Sequence, residues 1–129
     1  LAASGPATAA ETPLTGTGWQ LVRIDAADGP TAVADPTTFT VAFGPDGYAA
    51  LRMDCNRGRG GWQATAATPD SGTLSFGPIA TTRMMCPQPS LDTRVGAALA
   101  DVGGWRIEDG QLIMTPVSGD STLVWVPLP

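Results

Sequence analysis

The sequence contains no histidine and no lysine, and only two of its 129 residues are cysteine. Without histidine, a Ser-His-Asp or Cys-His nucleophile cannot be assembled. Two cysteines alone do not supply the four soft ligands that a structural zinc ion takes. The sequence therefore predicts no catalytic residue, no metal site and no cofactor.

Basic charge is scarce as well. Seven basic residues, all arginine, stand against twelve acidic ones, and the formal net charge is −5. Because neutralisation of phosphates supplies most nucleic-acid affinity, an acidic domain of this kind is not expected to bind nucleic acid. No apolar run approaches the length of a membrane-spanning helix. Contact with a membrane is therefore expected, if at all, through an N-terminal anchor.

Glycine and proline are abundant instead, with 16 and 12 residues beside an ordinary hydrophobic content of 43%. This balance is typical of short strands joined by turns, and the length suits one domain with its own core. Residues 1–13 are rich in Ala, Thr and Pro without apolar periodicity, so they are predicted to form a flexible tether. Residues 14–129 are predicted to form the single folded domain.

Periodicity gives the predicted architecture. Apolar residues alternate in residues 38–43, which predicts a strand, and Asp109–Gly110 predicts a two-residue hairpin turn. Helical spacing occurs at residues 90–102, with Ser90 as N-cap and glycines 103–104 as the stop. The order of strands, one helix and further strands predicts an α+β fold. Its antiparallel sheet would be strongly curved or partly closed into a barrel, with the helix covering one side.

Two motifs resemble those of a known family. "CNRGRGGW", residues 55–62, fits a C-N-R-x-x-G-x-aromatic signature, and "FGPIATTRMMCP", residues 76–87, is similar to the second signature of the bacterial META domain, or heat-shock HslJ-like, family. The resemblance covers roughly residues 14–127 in the right order. It implies a mixed barrel-like fold, export to the cell envelope or attachment there as a lipoprotein, and links to heat-shock or antibiotic stress. It implies no catalytic residue.

The two cysteines, Cys55 and Cys86, would form a disulfide in an oxidising compartment and remain thiols in the cytosol. We predict the disulfide, with Cys55 at the end of a strand and Cys86 just before the helix. Closing a loop of about 30 residues would stabilise the fold by roughly 3–4 kcal/mol. The bridge would hold "NRGRGG" beside "TTRMMC" and form one arginine-bearing surface.

The predicted binding surface consists of Asn56, Arg57, Arg59, Trp62 and Arg83. The backbone N–H groups of the glycine-rich run 57–61 could converge on an anion, but an ordinary solvated turn is the favoured interpretation. Trp62 and Trp105 border glycine-rich loops and are expected to be partly exposed. Arg83 is expected to pair with Asp54.

The expected function is stress-related binding of an envelope protein or component by a non-enzymatic, monomeric domain. It would lie in the periplasm, attached to the outer membrane, or be secreted. One alternative is an inhibitor of an extracytoplasmic hydrolase, a protease or lysozyme, which needs a rigid protruding loop such as residues 86–90. Another is a lipocalin-like carrier of a small apolar ligand. A carrier needs a cavity lined by residues such as Phe39, Val41, Leu51 and Met114. An enzyme is the least expected class.

Overall fold

The computed structural model describes residues 12–129, in which the chain forms nine β-strands and one α-helix. The elements in chain order are β1 (Gly18–Ala26), β2 (Gly29–Ala32), a short 3-10 helix (Pro36–Thr38), β3 (Phe39–Phe43), β4 (Tyr48–Met53), β5 (Asn56–Ala64), β6 (Ser71–Thr81), α1 (Asp92–Ala100), β7 (Val102–Glu108), β8 (Gln111–Pro116) and β9 (Thr122–Pro127). The predicted tether, residues 1–13, lies mostly outside the described residues.

All strands belong to one antiparallel sheet in the order β2-β1-β3-β4-β5-β6-β7-β8-β9, and β1 also pairs with β9. The last pairing closes eight strands into a barrel and leaves β2 as a hairpin extension of β1. The predicted barrel-like antiparallel sheet with a single helix is confirmed, and the barrel is closed rather than partly closed. Closure pairs the strand edges that would otherwise face solvent.

The barrel interior is a packed apolar core. Alternation along β3 turns Phe39, Val41 and Phe43 inward, as the sequence predicts. Leu51 and Met114 belong to the same cluster of buried residues. The side chains named for a carrier cavity thus pack against one another, which removes the support for a lipocalin-like interior.

The four tryptophans are all buried in this core. Trp105 was expected to be partly exposed, and that prediction is wrong because Trp105 occupies an inward position of β7. Its indole N–H donates to the Thr65 carbonyl at 3.0 Å. Trp125 differs from the others, because its buried indole N–H has no hydrogen-bond partner among residues 12–129.

Helix α1 packs against β4 and β6 and buries Val95, Ala98 and Leu99. It is shorter than the predicted span of 90–102. Ser90 performs part of the predicted capping role, because its hydroxyl accepts the Asp92 N–H at 3.1 Å, although the capping position itself is Leu91. The predicted glycine stop is wrong, since glycines 103–104 lie inside β7.

Two glycine positions illustrate different structural needs. The predicted turn at Asp109–Gly110 joins β7 to β8, and both residues have positive φ, 53° and 77°. Positive φ strains residues that have a Cβ, and Gly110 avoids this strain because it has none. Gly72 instead permits a close approach, because a Cβ there would collide with the Thr65 carbonyl oxygen.

Candidate functional site

The predicted disulfide is present and joins two distant segments. Strand β4 ends at Met53, and residues Asp54 and Cys55 form the turn into β5. Cys55 is bonded to Cys86, which lies before α1, with 5.5 Å between the two Cα atoms. For the sequence separation of 31 residues, the chain-entropy model gives a stabilisation of about 3.7 kcal/mol. The bridge therefore fixes the end of the segment that leaves β6.

Asn56, the residue after this turn, fixes the rest of that segment. Its side chain is only 6% exposed, and its Oδ1 accepts the Met84 N–H at 2.7 Å while its Nδ2 donates to the Met84 carbonyl at 3.0 Å. The same amide also accepts from the Thr82 hydroxyl at 2.9 Å and donates to Cys86 Sγ at 3.4 Å. The asparagine side chain thus pairs with Met84 as the backbone of a neighbouring strand would. These partners also fix which end of the amide is oxygen.

Thr82 extends the ladder between β5 and β6 by one step. Its N–H donates to the Arg57 carbonyl at 2.9 Å, and its hydroxyl accepts the Arg57 N–H at 3.0 Å. The hydroxyl replaces the carbonyl that a regular strand would offer, and the strand β6 itself ends at the preceding residue. Residues 82–86, which we call the stapled segment, are therefore held at Thr82, Met84 and Cys86.

The stapled segment presents two apolar side chains to solvent. Met84 is 63% exposed and Met85 is 89% exposed. We call this pair the methionine tip. A surface cleft of about 430 Å³ lies beside it, lined by Met53, Asn56, Thr81, Thr82, Arg83, Met84, Met85, Asp92 and Thr93. The methionine tip is therefore exposed apolar surface on a backbone that is held by the disulfide and by Asn56.

Three of the five predicted binding residues, Arg57, Arg59 and Arg83, lie on the surface, and two do not. Asn56 is buried beneath the stapled segment, and Trp62 is 2% exposed, with its ring 4.9 Å from that of Phe43. The predicted glycine-rich turn at 57–61 is wrong, because these residues belong to β5. Strand alternation then directs the arginines outward and Trp62 inward.

The surface arginines differ in their partners. Arg59 lies over the Tyr48 ring, 4.1 Å from its centroid, and 3.7 Å from the Asp46 carboxylate. Arg83 does not pair with Asp54, so that prediction is wrong. The Asp54 carboxylate instead accepts the Ser90 hydroxyl at 2.7 Å.

Sequence reasoning missed the methionine tip and Arg52. Two adjacent methionines cannot both face a core from an extended chain, and this signal could have marked Met84 or Met85 as exposed. Arg52 lies directly opposite Arg57 in the β4–β5 register, which the hairpin around Asp54 would have given.

Two carboxylates of the described surface hold turns through hydrogen bonds. Hydrogen bonds from the Gly119 N–H and from Ser118 lower the pKa of Asp101, and hydrogen bonds from Thr37 lower the pKa of Asp35. Both carboxyls are therefore ionised at neutral pH. Residues 12–129 contain no group of three or more His, Cys, Asp or Glu side chains placed to hold a metal ion. In the same range, no helix has the length and apolarity needed to cross a bilayer.

Two solved structures have a similar fold. The NMR structure of a protein from Burkholderia xenovorans matches with a TM-score of 0.74 at 24% sequence identity, over 99% of this chain and 93% of that one. The crystal structure of a duf4847 family protein from Bacteroides vulgatus matches with a TM-score of 0.62 at 16% identity, over 88% of this chain and 94% of that one. At these identities the likeness shows the fold alone.

No curated protein is significantly similar to this chain in sequence. The family model described as META domain matches residues 12–127, which is nearly the whole chain and includes both cysteines and the stapled segment. The chain belongs to the META domain family.

Proposed function

We propose that this chain is a non-enzymatic binding domain of the bacterial cell envelope that docks an envelope protein through the methionine tip. The observation that carries the proposal is the tip itself. Two large apolar side chains, Met84 and Met85, are exposed on a segment whose backbone is held by a disulfide and by Asn56.

The tip suits a protein partner for two physical reasons. Methionine is unbranched and polarizable, so it adapts to the shape of an apolar recess better than a β-branched residue does. The fixed backbone lowers the conformational entropy lost on binding, because the stapled segment is already ordered in the free protein. Arg83, which adjoins Met84, would lie at the polar rim of such an interface.

The disulfide supports the proposed location, because such bonds form and persist in oxidising compartments. We place the domain in the periplasm, at the outer membrane through an N-terminal anchor, or outside the cell. The proposal includes a role in the response to stress, which the resemblance of the two sequence motifs to the family supports. The domain would act as a monomer until it meets its partner.

Site-specific photo-crosslinking tests this function. A photoreactive residue placed at position 85 should crosslink one discrete protein in envelope fractions of the native host. The matched control is position 117, because Val117 is 74% exposed but lies in the β8–β9 connection. Purified unlabelled protein should compete for the crosslink, and its Met84→Ser/Met85→Ser double variant should not. Equal crosslinking from both positions, or equal competition by the variant, would contradict the proposal.

A hydrolase inhibitor is the second candidate, and the geometry of one loop favours it. In residues 83–89 every side chain except that of Cys86 is exposed. The loop is braced internally, because Gln88 Nε2 donates to the Cys86 carbonyl at 3.1 Å. Such a loop would inhibit a protease or lysozyme at stoichiometric amounts, and titration of these enzymes with purified protein tests it. Activity that is unchanged at a tenfold molar excess would reject this candidate for the enzymes titrated.

A further inference from the structure

Two arginines face each other on the outer surface of the barrel. Arg52 of β4 and Arg57 of β5 are direct partners in the antiparallel register, and both are exposed. Arg57 directs its N–H and its C=O at Thr82, so neither bonds Arg52. The two arginines therefore form a non-hydrogen-bonded pair, the arrangement that brings opposed side chains closest, with Cβ atoms about 4.5–5.5 Å apart.

Each of the other arginines in the strands lies beside a carboxylate. Arg23 pairs with Asp25 at 2.9 Å, and Arg106 pairs with Glu108 at 3.4 Å. Within residues 12–129 neither Arg52 nor Arg57 forms an ion pair. The unpaired side chains create a local excess of positive charge. Like charges directly opposite each other in a sheet are destabilising.

One of the two side chains is also oriented in advance. Arg52 Nε donates to the Asp54 carbonyl at 3.1 Å, which ties its guanidinium to the turn between β4 and β5. Hydrogen bonds from Thr37 hold the nearby Asp35 carboxylate in its own turn and are the main cause of its lowered pKa, to which the charge of Arg52 adds. Within residues 12–129 the terminal nitrogens of both guanidiniums donate no hydrogen bond, so they are available to bind a ligand.

We propose that Arg52 and Arg57 together bind a phosphate group presented by the envelope partner or component. This inference rests on the proposed binding function and names the chemistry of a second contact beside the methionine tip. A phosphate monoester carries a charge of about −1.5 to −2 and has three acceptor oxygens, enough to satisfy two guanidinium forks. A carboxylate has one charge and two oxygens, which suit a single arginine.

Thermal unfolding in inorganic phosphate is the primary test, with chloride at matched ionic strength as reference. At ten times its dissociation constant, phosphate should raise the Tm of the wild-type protein by roughly 5 °C. The rise in Tm should disappear in Arg52→Gln and Arg57→Gln. It should persist in the control Arg106→Gln, because Arg106 pairs with Glu108 in the wild-type protein and lies outside the proposed site. Without phosphate and at low salt, Arg57→Gln should raise the Tm by about 1–3 °C, because it removes the repulsion.

Two arms distinguish the sources of the phosphate. Free phosphate is tested as above, and a lipid headgroup is tested by cosedimentation with phosphatidic acid vesicles against phosphatidylcholine vesicles. Binding to either that depends on Arg57 supports the inference and identifies the source. Absence of binding in both arms, or equal binding by Arg57→Gln, overturns it. If the protein binds phosphate but position 85 gives no discrete crosslink, the proposed docking function alone is rejected and this inference stands.

Discussion

Substitution of Asn56 by alanine should destabilise the domain strongly and loosen the stapled segment. The change removes both hydrogen bonds to Met84, the bond to the Thr82 hydroxyl and a weaker bond to Cys86 Sγ. Each of the three stronger bonds contributes about 0.5–1.5 kcal/mol net, so Asn56→Ala should lower the free energy of unfolding by about 2–4 kcal/mol. For a domain of this length, that corresponds to a Tm decrease of roughly 8–15 °C.

Denaturant unfolding with the disulfide intact measures this loss, and amide hydrogen exchange locates it. Because Cys86 remains bridged, the looser part should be residues 82–85, and exchange of the Met84 amide should accelerate more than about tenfold. Gln63→Ala is the matched control, because Gln63 is an exposed residue of the same strand. It should change the free energy of unfolding by less than about 0.5 kcal/mol. An equally small change in Asn56→Ala would refute the role of Asn56, since water would then replace its hydrogen bonds at no cost.

Three further predictions concern the barrel. Trp62→Phe should cost about 1 kcal/mol more than Trp125→Phe in denaturant unfolding, because only Trp62 loses an indole hydrogen bond; equal costs would contradict this. Gly72→Ala should destabilise by about 1–3 kcal/mol, whereas Gly61→Ala, which meets only ordinary contacts, should be nearly neutral. The pKa of Asp101 is lowered in the folded protein, so its contribution to the free energy of unfolding is present above about pH 4 and is lost as the pH falls below that. Asp101→Asn should therefore reduce the decrease in this free energy at acid pH, and an unchanged pH profile would contradict the prediction.

Local patterns in the sequence predict the architecture well. The alternation through Phe39, Val41 and Phe43 gives a strand and its buried face, and Asp109–Gly110 gives a hairpin, because both signals are written in adjacent residues. Strand β2 was missed, since the four residues Gly29–Ala32 carry no apolar alternation and pair only as an extension of β1.

The conformation of the glycine-rich run 57–61 could not be predicted from neighbouring residues, because tertiary packing is what requires glycine there. A Cβ on Gly60 would lie 3.0 Å from the Pro78 carbonyl oxygen, so glycine is there to admit β6. None of the glycines at 58, 60 and 61 has the positive φ that a turn would require. The same holds at Gly103, where a Cβ would collide with Val117, so this glycine reflects strand packing and not a helix stop.

In the candidate site, the disulfide could be predicted from the sequence, but the role of Asn56 could not. The disulfide between Cys55 and Cys86 is predicted from an isolated even pair of cysteines, and the structure contains it. The role of Asn56 depends on where β6 ends relative to β5, a long-range register that no local pattern encodes. Without that register, the hydrogen-bond partners of Asn56 cannot be predicted.

In the proposed function, the methionine tip is a docking element that Asn56 and the disulfide hold in place before the partner binds. The most direct measurement places the photoreactive residue at position 85 in an Asn56→Ala background, under conditions where both proteins remain folded. We predict that the discrete crosslink seen with Asn56 present falls at least about tenfold, because the stapled segment no longer presents the tip in one orientation. An undiminished crosslink from position 85 in the Asn56→Ala protein would contradict the claim.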